Sequence, residues 1–199
     1  MSHFTVMVIG DEPELQLEPY SENIEVDPYF DGLVSEQEKE RMVQYYEDHY
    51  PEHEGKSFDE LYPIYADDWN GGSCKKNKDG DWENWSTYNP DSKWDWYSLG
   101  GRWSGMIKLK EGSTGIVGES GAGDNPIGID AAMKKDIANL NELSTFAVLK
   151  DGKWFERGKM GWWACVSNEK SEEQWGEEIK TLLNDLDDET MISIYDCHI

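Results

Sequence analysis

The most unusual composition in the chain lies between residues 92 and 103, which read SKWDWYSLGGRW. Adjacent glycines let a backbone approach a ligand closely, and a guanidinium can hold a phosphate or carboxylate through two parallel donors. Aromatic rings can stack on a planar base. Together these capacities predict a site for a small anionic planar ligand such as a nucleotide. The candidate ligand-binding residues are Lys93, Trp94, Trp96, Tyr97, Gly100, Gly101, Arg102 and Trp103.

The same segment also has a purely structural interpretation. In that interpretation Gly100 and Gly101 form a turn, the tryptophans fill a small core, and Arg102 pairs with one of the many carboxylates. The two interpretations differ in whether the rings are exposed and whether the guanidinium is paired.

A second set of candidate residues lies at the two ends of the chain, where His3, Asp196 and His198 are found. Asp196 and His198 share one face of a strand, because side chains alternate with period two. If the first and last strands are antiparallel neighbours, His3 lies near His198. These residues are then candidates for an acid–base pair or a metal site. The alternative is a pair of ordinary surface histidines.

Other motifs in the sequence are weak. His49 and His53 have the spacing of a helical zinc pair, but Pro51 lies between them and breaks the helix. Residues 77–81 are similar to a calcium loop, yet a lysine occupies the first ligand position and the closing glutamate is missing. The glycines of residues 115–123 lack the Gly-Lys-Ser/Thr of a P-loop. The sequence therefore predicts neither a metal nor a cofactor.

The charge of the chain disfavours whole classes of partner. Acidic residues number 42 against 18 basic ones, a formal net charge of −24, which repels nucleic-acid backbones and anionic membranes. Residues 1–70 alone hold 19 acidic and three basic side chains. The acidic region at 11–68 is either a solvated face or a surface that imitates DNA phosphates and binds a basic protein partner.

Hydrophobic periodicity predicts an α+β fold, specifically a ferredoxin-like sandwich of an antiparallel sheet and two main helices. We expect one domain over residues 1–199, with residues 52–104 as a Trp- and Gly-rich insertion of little periodicity. Capping boxes begin the two main helices, Asp151-Gly152 forms a hairpin turn, and Asp130 caps a short helix. The expected elements are strands at 4–9 and 191–199, helices at about 35–49 and 171–186, and a hairpin at 145–157.

Three features of the sequence bear on the cellular compartment of the protein. No apolar run is long enough to span a bilayer, and residues 1–10 do not resemble a secretion signal. Cys74, Cys165 and Cys197 are odd in number and far apart, which favours reduced thiols. These features predict a cytoplasmic protein, and the sequence leaves its oligomeric state open.

Four segments resemble an uncharacterised family of small proteins from tailed phages and bacteria: MSHFTV at residues 1–6, the SKWDWYxxGGRW segment, MGWW at 160–163 and DCHI at 196–199. The tryptophan-rich signature is also similar to that of ferredoxin-like proteins with a WGTKWD-type motif. The resemblance implies a protein of the host cytoplasm that takes part in host takeover or defence evasion.

Three hypotheses for the function follow. The first is a non-enzymatic protein that sequesters a small anionic nucleotide-like ligand, which in a phage would be an anti-defence sponge. The second is an acidic inhibitor of a protein partner, or a DNA mimic. The third is a nucleotide-cleaving hydrolase that uses His3, Asp196 and His198.

Overall fold

The computed structural model describes residues 2–69, 71–118, 128–160 and 165–199. The fold combines helices with a mostly antiparallel sheet, so the predicted α+β class is confirmed. The strands are β1 (His3–Ile9), β2 (Glu25–Leu33), β3 (Glu83–Tyr88), β4 (Trp96–Leu99), β5 (Ala131–Met133), β6 (Ala147–Lys150), β7 (Lys153–Glu156), β8 (Lys159–Met160), β9 (Val166–Ser167) and β10 (Met191–His198). The helices are α1 (Pro13–Leu17), α2 (Glu36–His49), α3 (Phe58–Trp69) and α4 (Glu172–Asn184).

The chain divides into two compact units. Unit 1 comprises Met1–Asn23 and Asp91–Ile199, and unit 2 comprises Ile24–Pro90. The predicted insertion at 52–104 therefore crosses a boundary between the units. A single domain over the whole chain stays a prediction.

Unit 1 is built on a sheet with the strand order β4-β10-β1-β6-β7, and β5 also pairs with β10. The first and last strands are antiparallel neighbours, as expected, and β1 is central and buried on both faces. β1 and β6 are parallel, which departs from the fully antiparallel sheet that the sequence predicted. The ferredoxin-like sandwich is therefore not confirmed.

Each face of the sheet in unit 1 carries a hydrophobic core. On one face Met7 and Ile194 pack with Trp175 and Ile179 of α4. The indole N–H of Trp175 donates to the Thr145 carbonyl at 2.6 Å, so this ring is buried with its polar group bonded. On the other face a second cluster comprises Phe4, Val6, Val8, Leu17, Trp94, Ala147, Leu149, Tyr195 and Cys197.

The two predicted capping boxes and the predicted hairpin turn are confirmed. Ser35 and Ser171 both form the predicted capping boxes, at the starts of α2 and α4. Asp151 and Gly152 have φ angles of 52° and 69°, and they join β6 to β7 in the predicted hairpin.

The prediction for Asp130 is wrong, because Asp130 precedes strand β5 and not a helix. Residues 131–133 pair with β10, and this long-range pairing overrides the local helical pattern. Ile107 and Leu109 form isolated bridges with Ile129 and Ile137. Residues 161–164, which belong to the MGWW segment, lie outside the described residues.

Unit 2 contains α2, α3 and the antiparallel pair β2–β3. Its core includes Leu61 and Tyr62 of α3, and the Tyr62 hydroxyl donates to the Glu83 carbonyl at 2.6 Å. The prediction of little periodicity over 52–104 is wrong, because α3, β3 and β4 lie within it. The sequence pattern does not indicate α3, because Pro63 lies inside it and proline is disfavoured within a helix.

Within the described ranges, helices with the length and hydrophobicity to cross a membrane are absent.

Candidate functional site

The two terminal histidines meet at one end of the unit 1 sheet. β1 and β10 pair with His3 opposite His198, and β10 pairs with β4 so that His198 lies opposite Trp96. The imidazole ring centroids of His3 and His198 are 4.9 Å apart, with the rings edge to face. Strand register therefore brings together the side chains that the sequence singled out at the two chain ends.

Each imidazole is held by its own carboxylate. His3 Nδ1 lies 2.8 Å from Asp196 Oδ1, and His198 Nδ1 lies 2.6 Å from Asp95 Oδ1. Because an ionised carboxylate only accepts, we assign the proton of each neutral imidazole to Nδ1. The imidazole side chains are 13% and 12% exposed, and neither Nε2 has a partner among the described residues. The result is a pair of partly exposed imidazoles, each oriented by a carboxylate.

Asp196 is fully buried, and both of its oxygens are bonded. Oδ1 contacts His3, and Oδ2 accepts from the backbone N–H of Arg102 at 3.0 Å. Gly101 permits this approach, since a Cβ at that position would lie 2.4 Å from the Asp196 Cβ. Gly101 also has a φ of 50°, in the left-handed region that favours glycine.

Gly100 faces a second buried carboxylate. A Cβ on Gly100 would lie 2.4 Å from the carboxyl carbon of Asp130. The Asp130 carboxylate accepts from the backbone N–H groups of Gly105 and Gly118, each at 2.8 Å, and from the Ser104 hydroxyl at 3.0 Å. The space beside both glycines is therefore filled by carboxylates of the protein itself.

Several aromatic and basic side chains of the predicted site lie in structural contacts. Trp94 is 8% exposed, belongs to the core, and donates through its indole N–H to the Leu17 carbonyl at 3.2 Å. Tyr97 contacts Trp94 edge to face at 4.8 Å between ring centroids. The Lys93 ammonium pairs with Glu156 at 3.2 Å. These three residues fit the structural interpretation of the segment.

Trp96 and Arg102 are in a different environment. Trp96 is 45% exposed, and its ring centroid is 6.2 Å from that of His3. Arg102 is exposed, and its guanidinium has no ion pair within the described parts of the chain. Trp103, the last residue of the predicted site, is half-buried and packs against the core. Of these residues, Trp96 lies beside the histidine pair, and the backbone N–H of Arg102 bonds to the carboxylate that holds His3.

A cavity of about 400 Å³ opens beside Trp96. It is also lined by Glu14 and Tyr195, whose hydroxyl donates to the Glu14 carboxylate at 3.0 Å. Burial is the main cause that raises the pKa of Tyr195, so its hydroxyl stays neutral and a donor. The volume is within the range of small-molecule sites. Tyr97, Leu99 and Tyr195 belong to the sheet face opposite the histidines, and neither imidazole is among the described lining residues, so the cavity is separate from the histidine pair.

Comparisons with family models, curated proteins and solved structures find no match. The resemblance to phage and bacterial proteins stays a prediction.

The weaker sequence motifs have local structural partners. His49 Nδ1 lies 2.9 Å from the Tyr45 carbonyl, and His53 Nδ1 lies 2.7 Å from the Lys56 ammonium. In the loop at 77–81 the Asn77 side chain accepts from two backbone N–H groups, as in an Asx turn. Groups of three or more metal-ligating side chains are absent from the described residues.

Asp95 and Asp130 are the important residues that sequence reasoning missed. Asp95 is 103 positions away from His198, and their contact depends on the pairing of β4 with β10. Asp95 stands directly before Trp96 in the segment of unusual composition, but no local pattern pairs it with His198. Asp130 carried a helix-cap signal that pointed to another role.

Proposed function

We propose that unit 1 binds a small anionic ligand with a planar ring, of the nucleotide class, at the histidine pair. The observation that carries the proposal is the grouping of two partly exposed, carboxylate-held imidazoles beside an exposed tryptophan, with the backbone N–H of the exposed Arg102 bonded to the carboxylate that holds His3. The ligand-binding residues of this proposal are His3, His198, Trp96 and Arg102.

The anionic character of the ligand follows from the donors at the site. Arg102 is always charged and presents a fork of N–H groups that matches phosphate. Its backbone N–H donates to the same carboxylate that holds His3, so the backbone of Arg102 lies next to the histidine pair. Each Nε2 can donate a further hydrogen bond when protonated.

Trp96 is the reason for proposing a ligand with a planar ring. The charge of the chain is the reason for proposing a small ligand. The exposed indole of Trp96 offers a stacking surface for a base beside His3. A net charge of −24 repels a long polyanion, whereas a small ligand responds mainly to the local donors. Binding of a nucleotide therefore agrees with both the local and the overall charge.

The test is calorimetric titration with adenosine monophosphate and 3′,5′-cyclic adenosine monophosphate, together with mass spectrometry of small molecules released from the denatured protein. We expect Arg102→Ala to weaken binding roughly 10- to 100-fold, because a hydrogen bond to a charged group contributes about 1.5–3 kcal/mol. Trp96→Ala is expected to weaken binding by a similar factor, since base stacking contributes about 1–3 kcal/mol.

Two matched controls come from unit 2. Arg41→Ala removes the same charge from another part of the chain, and Trp69→Ala removes a ring that is 66% exposed. Both controls are expected to leave affinity unchanged. If the Arg102 and Trp96 variants bind as tightly as the wild type, or if neither nucleotide binds and the released fraction holds none, the proposal fails.

Inhibition of a protein partner through the acidic surface stays a prediction. Residues 24–90 hold 17 acidic and six basic side chains, so unit 2 carries much of the negative charge.

A further inference from the structure

We propose that His3 and His198 cleave the bound ligand, as the general acid and general base in hydrolysis of a small nucleotide phosphodiester. This inference rests on the proposed function, because it uses the same site and the same class of ligand. It adds a reaction to what would otherwise be a binding site. The argument starts from how the two imidazoles are held.

Both imidazoles have the arrangement that prepares a histidine for proton transfer. A carboxylate at Nδ1 fixes the tautomer and the ring orientation, and it stabilises the positive charge that forms when Nε2 takes a proton. One such pair could serve only to anchor a strand end. Here two pairs lie side by side, with ring centroids 4.9 Å apart and partial exposure of both rings.

The Asp196 carboxylate is held in place by a backbone N–H group, and the backbone of Asp95 is anchored beside His198. Asp196 is fixed through its second oxygen by the Arg102 N–H, and it is enclosed by Gly101. Asp95 is tied to the same strand as its histidine, because the Asp95 N–H donates to the His198 carbonyl at 3.0 Å. Rigid support of this kind keeps reacting groups in a productive geometry.

The step needs one neutral and one protonated imidazole, and it balances without a further reactant besides water. A water oxygen forms a bond to phosphorus, and its proton passes to the neutral Nε2. The bond from phosphorus to the ester oxygen breaks, and that oxygen takes the proton of the other Nε2. The products are a phosphate monoester and an alcohol.

Other side chains of the site have supporting roles in this step. The Arg102 guanidinium neutralises charge on the phosphoryl oxygens, and stacking on Trp96 orients the base. A phosphodiester is preferred as substrate because its alkoxide leaving group needs a proton, which the acidic imidazole supplies. Asp95 and Asp196 are positioning residues, since they act through the histidines.

The experiment measures cleavage of 3′,5′-cyclic and 2′,3′-cyclic adenosine monophosphate and of the dinucleotide ApA by chromatography, as a function of pH. The variants are His3→Asn and His198→Asn, because the asparagine amide can keep the hydrogen bond of Nδ1 to the carboxylate while Nε2 is lost. Each variant is expected to lose roughly 10²- to 10⁴-fold in kcat, the usual contribution of a general acid or base.

The pH profile separates proton transfer from a structural role. The wild type is expected to show a bell-shaped dependence of kcat/KM on pH, and each variant to lose one limb of the bell. The double variant is expected to be little slower than the worse single variant, because the two groups act in one step. His49→Asn and His53→Asn in unit 2 are the matched controls and should retain full activity.

Binding of the same nucleotides is titrated in parallel, which distinguishes the two proposals. A wild-type protein that binds a nucleotide but cleaves none of the three phosphodiesters overturns this inference and leaves the binding proposal intact. Cleavage that persists in both histidine variants with an unchanged pH profile also overturns it. If Arg102→Ala and Trp96→Ala leave affinity unaltered, the binding proposal itself fails.

Discussion

Replacement of Gly101 by alanine should destabilise the protein much more than the same change at another glycine with a positive φ. A Cβ at Gly101 would lie 2.4 Å from the Asp196 Cβ, 2.5 Å from its Oδ2 and 2.7 Å from the Ser98 Oγ. The Asp196 side chain is fully buried and short, so it cannot swing away into solvent. The methyl group must therefore displace the carboxylate that holds His3, or displace the backbone of β4 and the turn that follows it.

The expected cost has three parts. The left-handed backbone conformation costs about 1–2 kcal/mol for a residue with a Cβ. Overpacking in a well-filled interior costs roughly 1–3 kcal/mol. Loss of a hydrogen bond to a charged group costs about 1.5–3 kcal/mol. Because one displacement relieves the overlap and breaks the bond together, the three do not add fully, and we expect about 3–6 kcal/mol in total.

Gly112→Ala is the matched control, since Gly112 has a φ of 80° and a Cβ there meets nothing within 4 Å. It should incur only the backbone cost, about 1–2 kcal/mol. Both variants are compared by urea unfolding and by thermal melting, where 1 kcal/mol shifts the midpoint by about 2–4 °C in a chain of this size. Histidine ring proton signals in NMR spectra should shift in Gly101→Ala and not in Gly112→Ala. Equal destabilisation of the two variants would show that the contact with Asp196 is not tight.

Two further predictions concern the cap of α2 and the buried thiol. The hydrogen bonds from Ser35 lower the pKa of Glu38. The stability that these bonds contribute is therefore present above the unfolded pKa of a glutamate, roughly 4.3, and is lost as the pH falls through the lower folded pKa. Ser35→Ala should therefore lower the free energy of unfolding of unit 2 by about 1 kcal/mol at pH 7 and by less at pH 3, and an equal loss at both pH values would contradict the linkage. Burial raises the pKa of Cys197 well above its usual range, whereas Cys165 is exposed. A thiol reagent should label Cys165 in the native protein and Cys197 only after unfolding, as followed by mass spectrometry, and fast labelling of Cys197 would count against its buried position.

Elements of the fold that depend on neighbouring residues could be predicted from the sequence. The capping boxes at Ser35 and Ser171 and the Asp151-Gly152 turn each involve groups within four positions, so their chemistry is visible in a short window. The antiparallel pairing of the terminal strands was also anticipated, and with it the approach of His3 to His198. Because side chains alternate along a strand, the period of two then places Asp196 and His198 on one face.

Elements that depend on distant pairing could not be predicted in this way. β4 is four residues long, and only its pairing with β10 makes it a strand. Asp95 reaches His198 through that pairing, so the second carboxylate of the site had no local signal. The same holds for Asp130, whose buried acceptor role depends on backbone groups 12 to 25 positions away.

The glycine pair links the structural and functional interpretations of the Trp-rich segment. From the sequence, Gly100 and Gly101 were expected either to admit a ligand or to form a turn. In the structure they admit two buried carboxylates, and this close approach brings the Arg102 N–H to Asp196. The other oxygen of the same carboxylate holds the His3 imidazole. A turn built for packing therefore connects the Gly-Gly-Arg segment to the histidine pair through one buried carboxylate, so the two candidate sites, separate in the sequence, are neighbours in the fold.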